Sequence, residues 1–275
     1  MNNTNQIDGF KEFLISEEKS TATVDKYIRD VMLFLKFSEA EPFSKALVLR
    51  FKDMLIKNYA PASVNSMLAA VNCFLSFTDN SHCKVKQIKI QKQIFAQEEK
   101  ELSVEEYKRL VKAANGSQLS AVMQTICETG IRVSELSYIT VEAVMAGKVT
   151  VNSKNKTRIV FIPKHLQKLL KGYIKKAGIT AGTIFVTKGG KPLNRSNIWK
   201  AMKALCRKAD VNEKKVFPHN LRHLFARMFY NIEKDIVRLA DIMGHSSINT
   251  TRIYTVECGK QHTKIIDKIS LLLAT

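Results

Sequence analysis

The sequence lacks the features that mark membrane, secreted and disulfide-bonded proteins. No apolar run approaches the roughly 20 residues that span a bilayer, and the first residues, MNNTN, do not resemble a signal peptide. The five cysteines are odd in number, widely spaced and without a C-x-x-C pair, which argues against a disulfide framework or a zinc knuckle. We therefore expect a cytoplasmic protein with free thiols and no membrane association.

Acidic residues are also few for a chain of this size. The 275 residues hold 44 Lys and Arg against 25 Asp and Glu, a net charge of +19. Residues 1–95 hold 13 basic and 10 acidic residues, so they carry +3 and the remaining residues carry +16. This excess favours a polyanionic partner, although composition alone does not separate DNA from RNA or an anionic membrane.

Apolar spacing predicts that residues 1–80 form a domain of about four helices. Val24, Ile28, Val31 and Leu35 recur at helical intervals after a capping Ser20 or Thr21. Residues 81–101 are polar and charged, and we interpret them as an extended, exposed interdomain linker. A short edge strand is the competing interpretation.

Residues 102–275 predict a second domain of helices with a small β-hairpin, so the fold class is mainly α with a small sheet (α+β). Ser103 followed by Glu106 is a capping box that begins a helix. Two β-branched segments, 149–151 and 158–162, flank a polar turn as in a hairpin, and 183–186 is a further candidate strand. Helices are also predicted over 118–129, 194–210, 218–231, 233–243 and 260–273.

Three short motifs in this second segment carry residues suited to phosphate chemistry. Gly130 can end a helix, and Arg132 and Glu135 then share one face, where the arginine could clamp a phosphate. The alternative is a plain surface ion pair. Pro218 suits a first helical turn, after which His219 and Arg222 point the same way. Here the alternative is a basic DNA-contact surface without catalysis.

The remaining candidates lie in the hairpin turn and near the end of the chain. His245 follows a helix stop at Gly244, and Tyr254 comes nine residues later. Lys154 and Lys156 occupy the hairpin turn, from which a lysine can enter a DNA groove. A solvated turn is the alternative for these lysines.

Together and in this order, the motifs resemble the tyrosine recombinases, the family of phage integrases and Xer chromosome-dimer resolvases. TGIRVSEL at 129–136 resembles the family's first-arginine box, HNLRH at 219–223 its His-x-x-Arg box, and the interval from His245 to Tyr254 its spacing to the nucleophile. Residues 1–80 resemble its helical core-binding (SAM-like) domain, and 102–275 its catalytic domain. The turn is one residue shorter than in Xer-like members, so Lys154 is preferred but Lys156 stays open.

The resemblance implies that Tyr254 attacks a DNA phosphate and forms a 3′-phosphotyrosyl bond, which conserves the phosphodiester energy without a high-energy cofactor. Arg132 and Arg222 would stabilise the charge on the phosphate, so neither a metal nor another cofactor is expected. Two guanidinium groups near Tyr254 should also favour its phenolate form.

The resemblance also implies roles for four other residues. Lys154 would protonate the 5′-oxygen leaving group, and His245 would hydrogen-bond to the phosphate. His219 would assist proton transfer at the tyrosine, and Glu135 would orient Arg132 or a nearby histidine.

The implied partner is double-stranded DNA with specific recombination sites, bound by a homotetramer. Basic residues expected to contact DNA, each with a solvated helix or loop face as the alternative, are Lys156, Lys188, Lys191, Arg195, Lys200 and Lys203. The tail, 260–275, is amphipathic and would dock on a neighbouring subunit or pack on its own domain.

Two other functions remain as alternatives. A type IB topoisomerase would share the chemistry but relax DNA as a monomer. A decayed relative would bind DNA as a regulator without cutting it. A metal site made by His219, His223 and His245 is disfavoured because no cysteine or carboxylate cluster accompanies them.

Overall fold

The protein is described by a computed structural model that covers residues 3–39, 41–90, 98–153, 156–187, 189–245 and 247–254. The chain divides into two compact units, residues 1–92 and 93–275, and each is described by itself. None of the described helices is both long and apolar enough to cross a bilayer.

The first unit is a bundle of four helices, as the apolar spacing predicts. They are α1 (Asn3–Ser16), α2 (Thr21–Ser38), α3 (Lys45–Asn58) and α4 (Pro61–Phe77). The Ser20 hydroxyl caps α2 by accepting from the backbone N–H of Thr23, and Pro61 opens α4. Ser44 caps α3 through Leu47 in the same manner.

Aromatic rings fill the core of this bundle. Phe10 meets Phe74 edge to face with ring centroids 5.2 Å apart, and Phe34 meets Phe51 at 5.1 Å. All four side chains are fully buried. Such pairs add about 0.5–1.5 kcal/mol beyond the burial of their area, so the rings hold the helices together strongly.

The segment after α4 is wrongly predicted to be exposed along its whole length. Cys83 and Val85 are buried in the core of the first unit. The Asn72 side chain bonds both the N–H and the C=O of Val85, and Asn65 does the same for Ile88. These side-chain bridges replace the backbone ladder that a strand would need. The boundaries of the predicted linker, 81–101, stay a prediction.

The second unit combines eight α-helices and four short 3₁₀ helices with one hairpin among its described residues. The helices are α5 (Val104–Ala113), α6 (Gln118–Thr129), α7 (Val141–Ala146), α8 (Lys164–Ala177), α9 (Arg195–Ala209), α10 (Pro218–Glu233), α11 (Ile236–Met243) and α12 (Ile248–Thr251). The predicted capping box begins α5, with Ser103 and Glu106 bonding each other's backbone N–H. The predicted helix 260–273 lies outside the described residues.

The hairpin consists of β1 (Lys148–Ser153) and β2 (Lys156–Phe161), paired antiparallel with Val151 opposite Arg158. Residues 183–186 do not form a further strand. They make only isolated bridges, Thr140 with Thr183 and Val186 with Pro192, because no neighbouring segment runs alongside them for long enough to build a ladder.

Helix α6 is the centre of this unit. It is buried nearly all round, and α5, α8, α9 and α10 pack against it. Helix α8 is absent from the sequence prediction, although Leu166, Leu170 and Ile174 line one buried face at intervals of four residues. The central position of α6 matters for function, because its C-terminal end carries the chain into the Arg132 motif.

Candidate active site

Arg132 is placed by the sharp end of α6. Gly130 ends that helix with a left-handed φ of 65°, and a Cβ at this position would lie 2.4 Å from the ring of Phe225 on α10. The chain therefore turns closely past α10, and Arg132 then begins a short 3₁₀ helix, Val133–Tyr138. The predicted ordinary helix is thus a tighter turn, which still brings Glu135 back to Arg132.

Glu135 is a saturated, buried carboxylate. It accepts from the side chain and the backbone N–H of Arg132, both at 2.9 Å, and from two nitrogens of Arg158 at 3.0 and 2.6 Å. Burial alone would raise its pKa, but the hydrogen bonds from Arg158 and Arg132 outweigh burial and lower the pKa to about 2. Glu135 is therefore a fixed negative charge at neutral pH.

Arg222 is buried on α10 and reaches three acceptors around the site. It donates to the carbonyl of Gly130, to the carbonyl of Met243 at 2.6 Å, and to His245 Nε2 at 3.2 Å. Burial and the nearby Arg132 lower its pKa to about 10, so it remains charged at neutral pH. Its bond to Gly130 ties it to the turn that places Arg132.

The two arginines meet at one turn of backbone. Arg222 donates to the carbonyl of Met243, and Arg132 donates to the next carbonyl, that of Gly244, at 3.2 Å. Two residues far apart in the chain thereby bring their guanidinium groups to adjacent peptide units. This convergence is the geometry on which a shared phosphate site depends.

His245 lies directly after that turn and links it to the end of the chain. Its Nδ1 is 2.8 Å from the hydroxyl of buried Thr251, and its Nε2 faces Arg222. Since arginine can only donate, Nε2 accepts and the proton of the neutral ring is on Nδ1. Burial and the charge of Arg222 lower the pKa of His245 to about 4, so the ring is neutral near pH 7.

Tyr254 is enclosed by histidine rings. It is 4% exposed, its ring stacks on His245 at 5.8 Å, and it meets His223 edge to face at 4.6 Å. Burial raises the pKa of Tyr254 despite Arg222 and Arg132, which lower it. The arginines therefore favour the phenolate, as expected, but the loss of water outweighs them and the net pKa shift is upward.

His219 stands one helical turn before His223, with ring centroids 4.5 Å apart. Burial, followed by the charge of Arg222, lowers the pKa of His219. Burial and His219 lower the pKa of His223 to about 3, so His223 is a neutral ring packed between His219 and Tyr254. No role is predicted for His223 from the sequence, and its i, i+4 spacing from His219 does not reveal the contact with Tyr254.

The structure describes only some of the basic residues that are predicted to protonate the leaving group or to contact DNA. Lys154 and Lys188 lie outside the described residues, and Lys156 is described only as a backbone position of β2 opposite Ser153. Lys191, Arg195 and Lys200 are exposed at and before the start of α9. Lys203 bonds the carbonyl of Glu213 and lies 5.4 Å from the ring centre of Trp199, so its ammonium is already engaged.

Arg158 has no role predicted from the sequence, although it ends the lysine-rich run of the hairpin turn. It follows the hairpin turn on β2 and pairs with Glu135, 23 positions earlier in the chain. A basic residue next to a lysine-rich turn has the same sequence signal as a solvated one. Among the residues that the structure describes, no group of three or more His, Cys, Asp or Glu side chains is arranged to hold a metal ion.

Comparison with known proteins adds an independent observation on both units. Residues 100–258 match the model of the phage integrase family, and residues 7–80 match that of the phage integrase N-terminal SAM-like domain. The chain is similar to tyrosine recombinase XerA of Pyrococcus furiosus, with 28% identity over 97% of this chain and 94% of the relative. It is also 36% identical to tyrosine recombinase XerD of Staphylococcus saprophyticus, over 56% of this chain and 55% of the relative.

Solved structures agree with this. The crystal structure of XerA recombinase matches 97% of this chain and 98% of that chain, with 26% identity and a TM-score of 0.55. The fold is also that of a lambda integrase dimer bound to a COC′ core site, at a TM-score of 0.74 and 16% identity over 92% of this chain and 95% of that one.

Proposed function

The chain belongs to the phage integrase family, and from this premise we infer that it is a site-specific tyrosine recombinase, an enzyme that cleaves and rejoins DNA. One observation carries the assignment to this site. Arg132 and Arg222 bond the adjacent carbonyls of Gly244 and Met243, beside His245 and the buried phenol of Tyr254. This arrangement supports a phosphate site formed by the two donor groups next to Tyr254.

We propose that the Tyr254 oxygen attacks the scissile phosphorus. The O–P bond to the tyrosine forms as the bond to the 5′-oxygen breaks, and the phenolic proton leaves with the aid of His219. The departing 5′-oxygen takes a proton from Lys154 or Lys156, whichever the hairpin turn delivers. The reverse attack by a 5′-hydroxyl restores the DNA. The phosphodiester is exchanged for a phosphotyrosyl ester and is not hydrolysed, so the cycle needs no high-energy cofactor.

The guanidinium groups of Arg132 and Arg222 would stabilise the charge on the non-bridging oxygens in this cycle. Their present bonds to backbone carbonyls hold them in position, and a phosphate oxygen is a stronger acceptor than a neutral carbonyl. His245 can donate to the phosphate only with a proton on Nε2. The Thr251 hydroxyl can turn and donate to Nδ1, which permits that change without losing the bond between them.

A covalent trap tests the nucleophile. Duplexes with a randomised central segment and a nick in its middle are incubated with the protein, and complexes that survive denaturation are recovered and sequenced. We expect covalent complexes with wild type and with Tyr230→Phe, the matched change in α10, and none with Tyr254→Phe. A complex formed by Tyr254→Phe would refute the assignment. Relaxation of a plasmid lacking the selected site would instead indicate the topoisomerase alternative.

We propose that exposed basic residues at the start of α9 bind the DNA backbone. Lys191, Arg195 and Lys200 are candidates, and neutralising each one that binds a phosphate should reduce the salt dependence of binding by about 0.9 in log–log slope. Binding of the selected duplex is measured for the triple glutamine variant between low and moderate salt. The control is the equal charge change on α8, at Lys168, Lys171 and Lys175. An equal decrease in slope for both triple variants would contradict this placement.

We further propose that the protein acts in the cytoplasm on double-stranded DNA, as a homotetramer held together by residues 260–275. Recombination joins two duplexes and therefore needs four cleavage sites. Truncation after residue 259 should abolish the synaptic complex of two selected duplexes, as measured by gel mobility. Binding of one duplex should persist. A truncated chain that still assembles synaptic complexes would contradict the role of the tail.

A further inference from the structure

Arg158 makes a forked contact in the site, although no role is predicted for it from the sequence. Its two terminal nitrogens bond the two oxygens of Glu135, at 3.0 and 2.6 Å. This forked pairing is the most favourable geometry between an arginine and a carboxylate. The side chain is 11% exposed, so the contact is not a surface ion pair of little consequence.

The charges around Glu135 do not cancel. One carboxylate lies between two guanidinium groups, so the cluster of Arg132, Glu135 and Arg158 carries one surplus positive charge. Arg158 directs both of its terminal nitrogens to the carboxylate, whereas Arg132 shares one with it and gives another to the neutral carbonyl of Gly244. Arg132 is also the more open of the two arginines, with 35% of its side chain exposed. The surplus charge therefore lies towards Arg132.

The fold makes room for Arg158 at some cost. A Cβ on Gly244 would lie 2.7 Å from Cδ of Arg158, and Gly244 has a left-handed φ of 63°, so both space and conformation require glycine there. Among the described residues, Nε of Arg158 is buried without a hydrogen-bond partner. A buried donor left unpaired costs free energy, which the bonds of the two terminal nitrogens to Glu135 offset.

We propose that Arg158 is a positioning residue that neutralises Glu135 and thereby leaves the positive charge of Arg132 available to the phosphate. The proposal rests on the proposed function, because it assigns a task to Arg132. Without Arg158, the carboxylate would pair with Arg132 alone and the net charge of the pair would be zero. Arg132 would then be held by Glu135 and would attract an incoming phosphate less strongly.

A double-variant cycle tests this charge balance. Arg158→Met removes the charge and keeps an unbranched apolar stem, and we expect the rate of covalent complex formation to fall about 10- to 100-fold. Adding Glu135→Gln should recover most of that decrease, because no uncompensated carboxylate then remains. Arg158→Lys, which keeps the charge, should be impaired less than Arg158→Met. If the role of Arg158 were only structural, the double variant should be more impaired than Arg158→Met, because it alters a second side chain of the same cluster.

A matched control separates charge from stability. Lys215→Met also removes a half-buried ion pair in the second unit, that with Glu106 at 3.0 Å, but it touches no part of the site. It should lower the thermal midpoint and leave the cleavage rate close to that of wild type. If Arg158→Met does not fold, Arg158→Gln takes its place, because glutamine is equally uncharged and can still donate to Glu135.

A second measurement keeps the outcome independent of DNA cleavage. Inorganic phosphate is titrated into each variant while the imidazole resonances of His245 are followed by NMR. Phosphate should bind several-fold more weakly to Arg158→Met and recover in the double variant. If wild type forms no covalent complex but this pattern holds, the proposed function fails and the role of Arg158 survives. The inference would be overturned if Arg158→Met bound phosphate and cleaved DNA like wild type. It would also be overturned if the double variant bound phosphate and cleaved DNA no better than Arg158→Met.

Discussion

The two units of this protein differ in how many polar side chains they bury, since the first buries Asp30 and Ser38 among its described residues and the second buries more. The first, residues 3–90, is nearly neutral, and interlocking phenylalanines fill its core. The second carries most of the net charge and buries Glu135, Arg222 and Thr251 beside its apolar core. Buried charges cost free energy unless they are fully paired. The second unit therefore maintains a site by its polar contacts, whereas the first is stabilised as an apolar bundle.

The largest effect should come from emptying the phenylalanine core of the first unit. Phe34→Ala should lower the free energy of unfolding by about 3–5 kcal/mol, because it removes a fully buried ring and its edge-to-face contact with Phe51. Hydrogen exchange followed by mass spectrometry measures this region by region. Faster exchange should be confined to peptides of residues 3–90, and Phe34→Leu should show a smaller change. Equal acceleration in both units would break the comparison.

In the second unit, a polar change should affect chemistry as well as stability. Arg222→Gln should slow covalent complex formation about 10²- to 10³-fold, since it removes a preorganised donor to the phosphate. The carbonyls of Gly130 and Met243 are also left without this donor, so the thermal midpoint should fall. Arg227→Gln, which disrupts the hydrogen bonds to Glu101 and Leu102, is the control. It should lower the midpoint and leave the rate near that of wild type.

The buried phenol predicts a dependence on pH. Because burial raises the pKa of Tyr254 above its usual value near 10, the group is protonated at neutral pH. The phenolate fraction grows about tenfold per pH unit below that pKa, so cleavage should accelerate between pH 7 and 9 by up to that factor per unit. His245, with a pKa of about 4, does not titrate in this window. The rate of covalent complex formation is measured by rapid quench at each pH. A rate that fell as pH rose would contradict this prediction.

The smallest effect should come from a helix cap. Ser103→Ala removes the side-chain half of the α5 capping box and should cost about 1 kcal/mol, measured by denaturant unfolding. Ser117→Ala removes the single cap of α6, where the hydroxyl accepts only from the N–H of Ser120, and should cost no more than that. A larger decrease in stability at Ser117 would show that the central position of α6, and not the cap geometry, sets the cost.

The helices could be predicted from the sequence because their signals are local. The periodic Val24, Ile28, Val31 and Leu35 and the cap at Ser103 act within a few residues, and both appear as expected. Helix α8 also has a local signal that was missed. Its apolar side chains recur at i, i+3, i+4, i+7 and i+8 between the lysines, and all five pack on the core: Leu166, Leu169, Leu170, Tyr173 and Ile174.

The candidate site could be predicted only as a set of residues. The pairing of Arg158 with Glu135 depends on which way β2 faces after the hairpin, and that is a property of the folded unit. The pKa of Tyr254 depends on how much water its surroundings exclude, which spacing along the chain does not encode. Sequence supplied the residue types, and packing decided their contacts and ionisation.

The turn between α11 and His245 has one more consequence. The carbonyls of Met243 and Gly244 each accept a hydrogen bond from one arginine. This short stretch of backbone therefore contacts both guanidinium groups. A rotation of those two peptides would remove one acceptor from Arg132 and one from Arg222 at the same time, and would move His245, while Glu135 and Gly130 would still hold the two side chains. The end of α11 is therefore a place where a single backbone change would reach both arginines of the proposed phosphate site.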